Sequence, residues 1–303
     1  MAQARVGYLG PEGSFSHEAV STLENVAPVA FETIADLLTA VSAGDIAHAL
    51  LPLENAIEGT VSATIDGLVF DHELVMEREV VIPIHLQLLA KPGTTLDEVD
   101  EVRSYVHALA QCRTFLNGLG VRTHQTTSTS QAAREVAESS SPIAAVASPL
   151  AGTLFGLEAI ASEIEDHTGN ATRFVLVGRD EVAAPTGHDR TSIVVFQDAD
   201  RPGSLYGILG RFAARDINLT KLESRPTKKG LGDYCFVIEF EGHVADDVVA
   251  DCLADLQAHM GQIKFLGSYP VTGSGAQDRR EEVAQARQSA TSWIKSIQNR
   301  VRS

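Results

Sequence analysis

Four short stretches gather polar side chains where an apolar run gives way to a helical one: GPEGSFS (10–16), LPLENAIEGTV (51–61), SYVHALAQC (104–112) and NATRF (170–174). Ser14, Asn55, Thr60, Ser104, Gln111, Thr172 and Arg173 can donate hydrogen bonds there, and Phe174 can pack beside a ring. An Arg fork matches a carboxylate, and a helix start offers bare N–H groups to an anion. A Thr hydroxyl is too weak an acid to ionise near neutrality and acts as a positioned donor. Together the set fits the binding and polarisation of a small anion. Each residue also has a plainer use. Thr172 and Arg173 suit a strand entrance, with Arg173 snorkelling to a surface ion pair; Asn55 suits a turn, Ser14 and Thr60 suit helix caps, and Phe174 a core.

Other chemistries lack their residues. The ten histidines and three cysteines form no His-Glu-x-x-His and no paired-Cys motif, so no metal is expected. Gly7, Gly10 and Gly13 miss the G-x-G-x-x-G spacing and no Walker sequence occurs, so neither a nicotinamide nor a nucleotide cofactor is indicated. A net charge of -16 argues against a nucleic-acid or anionic-membrane partner held by long-range charge. Any anion site must therefore be locally positive. Cys112, Cys235 and Cys252 are odd in number and far apart, as reduced cytosolic thiols are. The run Val80–Ala90, broken by Pro83, His85 and Gln87, falls short of a membrane span, and no secretory signal is visible. A cytoplasmic location is the expectation.

The elements that must position these residues alternate regularly through the first 180 residues. RVGYLG (5–10), APVAF (27–31) and AHALLPLEN (47–55) read as strands separated by helical SFSHEAVSTL and TIADLLTAVSAG, the latter opened by a Thr33 cap with Asp36. Strand, helix, strand at this spacing means parallel βαβ units. The rhythm resumes with EVRSYV, HALAQCRTFLNGL, VRTHQT, TSQAAREVAES and PIAAVAS. Two α/β lobes follow, with 74–91 crossing between them and 172–178 crossing back; a ligand would sit between the lobes. Residues 180–189, with Pro185 and Gly187, read as a linker. Residues 190–270 then read βαββαβ, a ferredoxin-like α+β unit. In the tail, 271–303, Val283, Ala286, Ala290, Trp293, Ile297 and Val301 make one apolar helical stripe suited to docking on its own domain or on a neighbouring subunit.

In these blocks, over about residues 4–270, the chain resembles the monofunctional bacterial prephenate dehydratases. The carrying motifs are GPEGSF, PLENAIEGTV, ALAQC and TRFVLVG, followed by DRPGSLYGIL (200–209) and ESRP (223–226), which are similar to ACT-domain motifs. The resemblance implies a two-lobed, periplasmic-binding-protein-like catalytic domain plus an ACT regulatory domain, converting prephenate to phenylpyruvate without a cofactor. It implies that Thr172 is the essential catalytic residue and that Asn55 contacts substrate. Ser104 and Gln111 match the Ser and Gln of the family's Ser-His-Pro-Gln-x-x-x-Gln-Cys stretch. Tyr105, Val106 and His107 depart from it, and His107 reads as a residue opening the helix. Cys112 reads as a small buried hydrophobe. Arg173 is expected on the pyruvyl carboxylate, leaving the ring carboxylate, which must depart as carbon dioxide, on a less polar wall.

For the second domain the resemblance implies phenylalanine as effector, bound by Gly203, Ser204, Leu205, Asn218, Glu223, Ser224, Arg225 and Pro226. ACT pairing implies a homo-oligomer, dimer or tetramer. Two alternatives stand beside this reading: arogenate in place of prephenate, and a non-catalytic amino-acid sensor built on the same lobes.

Overall fold

The computed structural model describes residues 3–197, 202–228, 230, 232–272, 292–294 and 296. The chain divides into two units, up to Glu181 and from Val182 onward. In the first unit, β1 (Ala4–Leu9), β2 (Val26–Phe31) and β3 (His48–Asn55) are linked by α1 (Phe15–Ser21) and α2 (Ile34–Ala43). Thr33 caps α2 by accepting from Asp36 N at 3.0 Å, and Leu37, Leu38 and Val41 bury its inner face. Each such side chain contributes about 1.5–3 kcal/mol. A hairpin strand β4 (Gly59–Thr60), a short α3 (Ser62–Asp66) with a π-helical turn (Gly67–Asp71), and β5 (Val75–Pro83) complete the first lobe's own run.

The second lobe holds β6 (Gln87–Ala90), β7 (Glu101–Tyr105), α4 (Val106–Gln111), α5 (Arg113–Leu119), β8 (Arg122–Thr126), α6 (Thr129–Glu138), β9 (Ile143–Ala147), α7 (Pro149–Phe155) and β10 (Glu158–Ala161). Its sheet runs β10-β6-β9-β7-β8, with β7 parallel to β8 and β9. The chain then returns to the first sheet as β11 (Ala171–Gly178), giving the order β2-β1-β3-β11-β5 with β4 on β3.

Two expectations change here. The first crossing, 84–86, falls within the expected 74–91, but the return crossing is 162–170; the two are tied side by side by Ile84 N to Asn170 O (2.9 Å) and Ile164 N to Leu86 O (3.3 Å). The TRFVLVG segment does not cross: it is a whole strand, antiparallel to β3 on one side and β5 on the other. HALAQCRTFLNGL is two helices, broken at Cys112, because Asp166 arrives from the return crossing to cap the second. Its carboxylate accepts from Thr114 N at 3.1 and 3.2 Å.

The second unit is a βαββαβ fold, one sheet with two helices packed on it. β12 (Asp189–Phe196), α8 (Ser204–Ala213), β13 (Leu219–Pro226), β14 (Tyr234–Glu241), α9 (Asp247–His259) and β15 (Ile263–Pro270) build a sheet in the order β13-β14-β12-β15. Ile193, Val195, Ile238 and Phe240 face Ile208, Phe212, Val249 and Leu256 of the helices in one core. Asp200 and Arg201 of DRPGSLYGIL, and Val283, Ala286, Ala290, Ile297 and Val301 of the tail stripe, lie outside the described residues; Trp293 is described and exposed.

Candidate active site

The register of β3 on β11 places Asn55 opposite Thr172. Asn55 Nδ2 donates to Thr172 Oγ1 at 3.0 Å and to Asn170 Oδ1 at 3.0 Å, while its Oδ1 accepts from Ile57 N (2.9 Å) and Glu58 N (3.1 Å). The side chain is thus locked at both ends. Thr172 is buried, its oxygen accepts from Asn55, and no acceptor for its own proton occurs among the described residues. That proton is free for a ligand.

The network runs on into the second lobe. Asn170 Nδ2 donates to Gln111 Oε1 at 3.1 Å, and Gln111 Nε2 donates to Glu58 Oε1 at 2.9 Å. His107 Nδ1 lies 3.2 Å from the same Glu58 oxygen. On the other side, Ser148 Oγ donates to Gly13 O at 3.0 Å and Ser130 Oγ to Glu12 O, so the GPEGSF loop rests on α6 and α7. Gly13 has φ +81, and a Cβ there would sit 2.9 Å from Ser130 Oγ. Both constraints call for glycine.

These contacts frame a cleft of about 740 Å³ between the lobes. Ser14, Asn55, Gln111, Thr172 and Phe174 line it. Ser14 also caps α1, accepting from His17 N at 3.2 Å, and Phe174 also packs in the core with Tyr8, Val80 and Ile82. Residues that sequence reasoning passed over join them: Glu58, Asn170 and, at the start of α6, Thr127, Ser128, Thr129 and Gln131. The signal for α6 was present, since Ser128 accepts from Gln131 N at 3.0 Å as an N-cap followed by a Gln.

Three expected site residues stand elsewhere. Arg173 follows Thr172 on a strand, so its side chain takes the other face of the sheet, where it meets Glu54 (2.8 Å) and Glu79 (3.5 Å). Ser104 is fully buried and donates to Val146 O at 2.6 Å, joining β7 to β9. Thr60 does not cap α3: it pairs with Glu54 in the β4 hairpin, and Val61 is the N-cap, without a side-chain bond.

Cys112 is buried beneath α4, and burial pushes its thiol up to about 12, with Glu165 and Asp166 adding to the shift. Among the described residues no group of three His, Cys, Asp or Glu side chains is placed to hold a metal ion. No helix among them is long and apolar enough to cross a membrane.

A prephenate dehydratase family model matches residues 6–182, and an ACT domain model matches residues 191–258. This chain belongs to the prephenate dehydratase family. A prephenate dehydratase from Amycolatopsis methanolica is 41% identical over 275 residues, covering 88% of each chain. Among solved structures, a prephenate dehydratase from Arthrobacter aurescens in complex with L-Phe is similar at 34% identity and a TM-score of 0.83, over 98% of this chain and 100% of that one. A structure described as a novel type of quorum-quenching acylase is similar at 29% identity and a TM-score of 0.81, over 88% of this chain and 98% of that one.

In this dehydratase-family chain the expected effector residues lie on two segments of the ACT domain. Gly203, with φ +87, is the N-cap of α8, followed by Ser204 and Leu205. Asn218 precedes β13 and donates to Glu241 at 3.0 Å. Glu223 sits between Lys221 (3.6 Å) and Arg225 on the same strand, with Ser224 and Pro226 turned to the other, exposed side.

Proposed function

We propose that this chain carries out the decarboxylating dehydration of prephenate to phenylpyruvate, water and carbon dioxide, under inhibition by phenylalanine. The observation that carries the reading is the Thr172 hydroxyl held by Asn55 in the inter-lobe cleft.

In prephenate the ring hydroxyl lies opposite the carbon that bears the ring carboxylate. When the carboxylate departs as carbon dioxide, its bonding pair enters the ring, and the hydroxyl leaves as water with a proton drawn from solvent. Aromatisation supplies the driving force. The protein must donate to the oxygen as negative charge grows on it and fix the dianion in place. Thr172, accepting from Asn55, aims its proton at that oxygen, where a preorganised donor stabilises the transition state more than the ground state. Gln111 and Asn170 hold Asn55 in register. Phe174, Ile84 and Leu86 supply the apolar wall that favours loss of the ring carboxylate. The opening turn of α6 offers donors to the remaining polar groups.

The acylase-like neighbour raises a second chemistry on the same fold. Amide hydrolysis through a covalent intermediate needs a nucleophile beside a base. Thr172 has an Asn amide beside it, which takes up no proton, and the thiols of Cys112, Cys235 and Cys252 are all buried. The arrangement favours dehydration.

Phenylalanine as effector belongs at Gly203–Leu205 with Asn218 and Glu223–Pro226, and pairing of ACT domains between copies would make the protein a homo-oligomer. A cytoplasmic location fits the buried free thiols. The test is phenylpyruvate formation from prephenate by the purified full chain, with and without phenylalanine, beside phenylalanine formation from arogenate. Turnover of prephenate suppressed by phenylalanine is expected. Faster turnover of arogenate would change the substrate, and phenylalanine binding without any turnover would leave a sensor.

A further inference from the structure

The cleft is short of positive charge. Its charged or titratable lining side chains, apart from Tyr105, are Glu32, Glu58 and His107, with no Lys or Arg among them. Arg173, the cation expected to hold a substrate carboxylate, faces Glu54 and Glu79 on the other side of the sheet. A dianionic substrate must find its charge partner elsewhere.

His107 stands in the first turn of α4, half exposed, with its ring 5.1 Å from that of Tyr105. Nδ1 is taken by Glu58 Oε1 at 3.2 Å, which fixes the ring plane. Nε2 has no partner among the described residues and is the nitrogen left to meet a ligand. A protonated imidazole donates from both nitrogens, so one bond can go to Glu58 and the other to a substrate oxygen. Glu58 comes from the first lobe and is itself placed by its backbone bond to Asn55, the residue that holds Thr172. The carboxylate-binding end and the hydroxyl-polarising end of the cleft are thereby tied to one side chain.

We propose that His107, oriented by Glu58, is the residue that holds the side-chain carboxylate of the substrate, supplying the charge that Arg173 does not. The inference rests on the dehydratase reading above.

The experiment compares the full-length protein with His107→Gln and His107→Arg in three measurements. These are the KM for prephenate, inhibition by phenylpyruvate, and inhibition by phenylacetone, in which an uncharged methyl group replaces the carboxylate. In His107→Gln the KM and the phenylpyruvate inhibition constant should each rise roughly tenfold, as loss of a charge-assisted hydrogen bond predicts. Phenylacetone should bind as before, and His107→Arg should recover most of the phenylpyruvate affinity. Unchanged phenylpyruvate inhibition in His107→Gln overturns the proposal, as does an equal loss for phenylacetone, which would mark a merely structural role. If the unmodified protein fails to turn over prephenate, the dehydratase reading falls. Calorimetric binding of phenylpyruvate to the same proteins then decides the role of His107 separately.

Discussion

Asn55 and Thr172 face each other across antiparallel strands, with Asn55 Nδ2 donating to Thr172 Oγ1 at 3.0 Å. The direction of that bond matters: it occupies the oxygen as acceptor and leaves the proton for the leaving hydroxyl. Thr172→Ala should lower kcat by about 10²–10³, the range for loss of one preorganised donor. Asn55→Asp keeps the shape and reverses the bond, because a carboxylate only accepts and would draw the Thr172 proton to itself. Steady-state phenylpyruvate formation should show both losses, with Thr172→Ser retaining more activity than either. An Asn55→Asp protein as active as the unmodified one would show that the bond direction is irrelevant.

The strand-end motifs made Asn55, Gln111 and Thr172 legible in sequence, because polar residues beside apolar runs stand out whatever the register. Parity did not show. Both faces of β11 are buried by neighbours, so TRFVLVG lacks the alternation that would mark it as a strand; once it is one, Thr172 and Arg173, being adjacent, must take opposite faces. Ser104 misled for a related reason: a buried hydroxyl bonded to Val146 O looks in sequence like any strand-end Ser. The break at Cys112 depends on Asp166, 52 residues beyond Thr114, and no local pattern contains it. The alternating strands and helices of the lobes, and the βαββαβ order after them, are local patterns and were readable.

Ser104→Ala therefore tests stability rather than catalysis. It leaves Val146 O without its buried hydroxyl donor, which costs about 1–2 kcal/mol. A lowered melting temperature with kcat and KM little changed is expected. A large loss of kcat in a folded protein would return Ser104 to the site.

Glu223 lies between Lys221 and Arg225 on the strand assigned to the effector. Glu223→Ala should raise the phenylalanine concentration for half-inhibition by roughly tenfold or more, since a charged partner for the ligand's ammonium is lost. Turnover without phenylalanine should persist, because the site chemistry resides in the first unit. Inhibition curves that superimpose on those of the unmodified protein would remove Glu223 from the effector site.

Cys112 should be inert. Its thiol is fully buried and pushed up to about 12, chiefly by burial, so almost no thiolate exists near neutrality. The Cys252 thiol is likewise pushed up, to about 11. Iodoacetamide at mildly alkaline pH should label no cysteine of the native protein and leave its activity intact, with full labelling after denaturation. Native-state labelling at Cys112, read by mass spectrometry, would contradict the packing around α4.

The last relationship lies at the far edge of the first sheet. His48 on β3 and Glu77 on β5 flank β11 and meet over it, Nε2 to Oε2 at 3.1 Å. They do so at Gly178, where a Cβ would come within 1.9 Å of Glu77 Oε1 and 3.1 Å of His48 Cδ2. The hydrogen bond to Glu77 raises the His48 pKa, outweighing partial burial, with the Glu77 charge acting in the same direction. A raised folded-state value means that the pair's stabilisation is fully present below the unfolded value of about 6.5 and is lost as pH rises through the folded value. Glu77→Gln removes the charge and keeps the size. The melting temperature difference between the unmodified protein and Glu77→Gln should thus be larger near about pH 6 than near about pH 9. An equal difference at both would show that Glu77 acts there by packing alone.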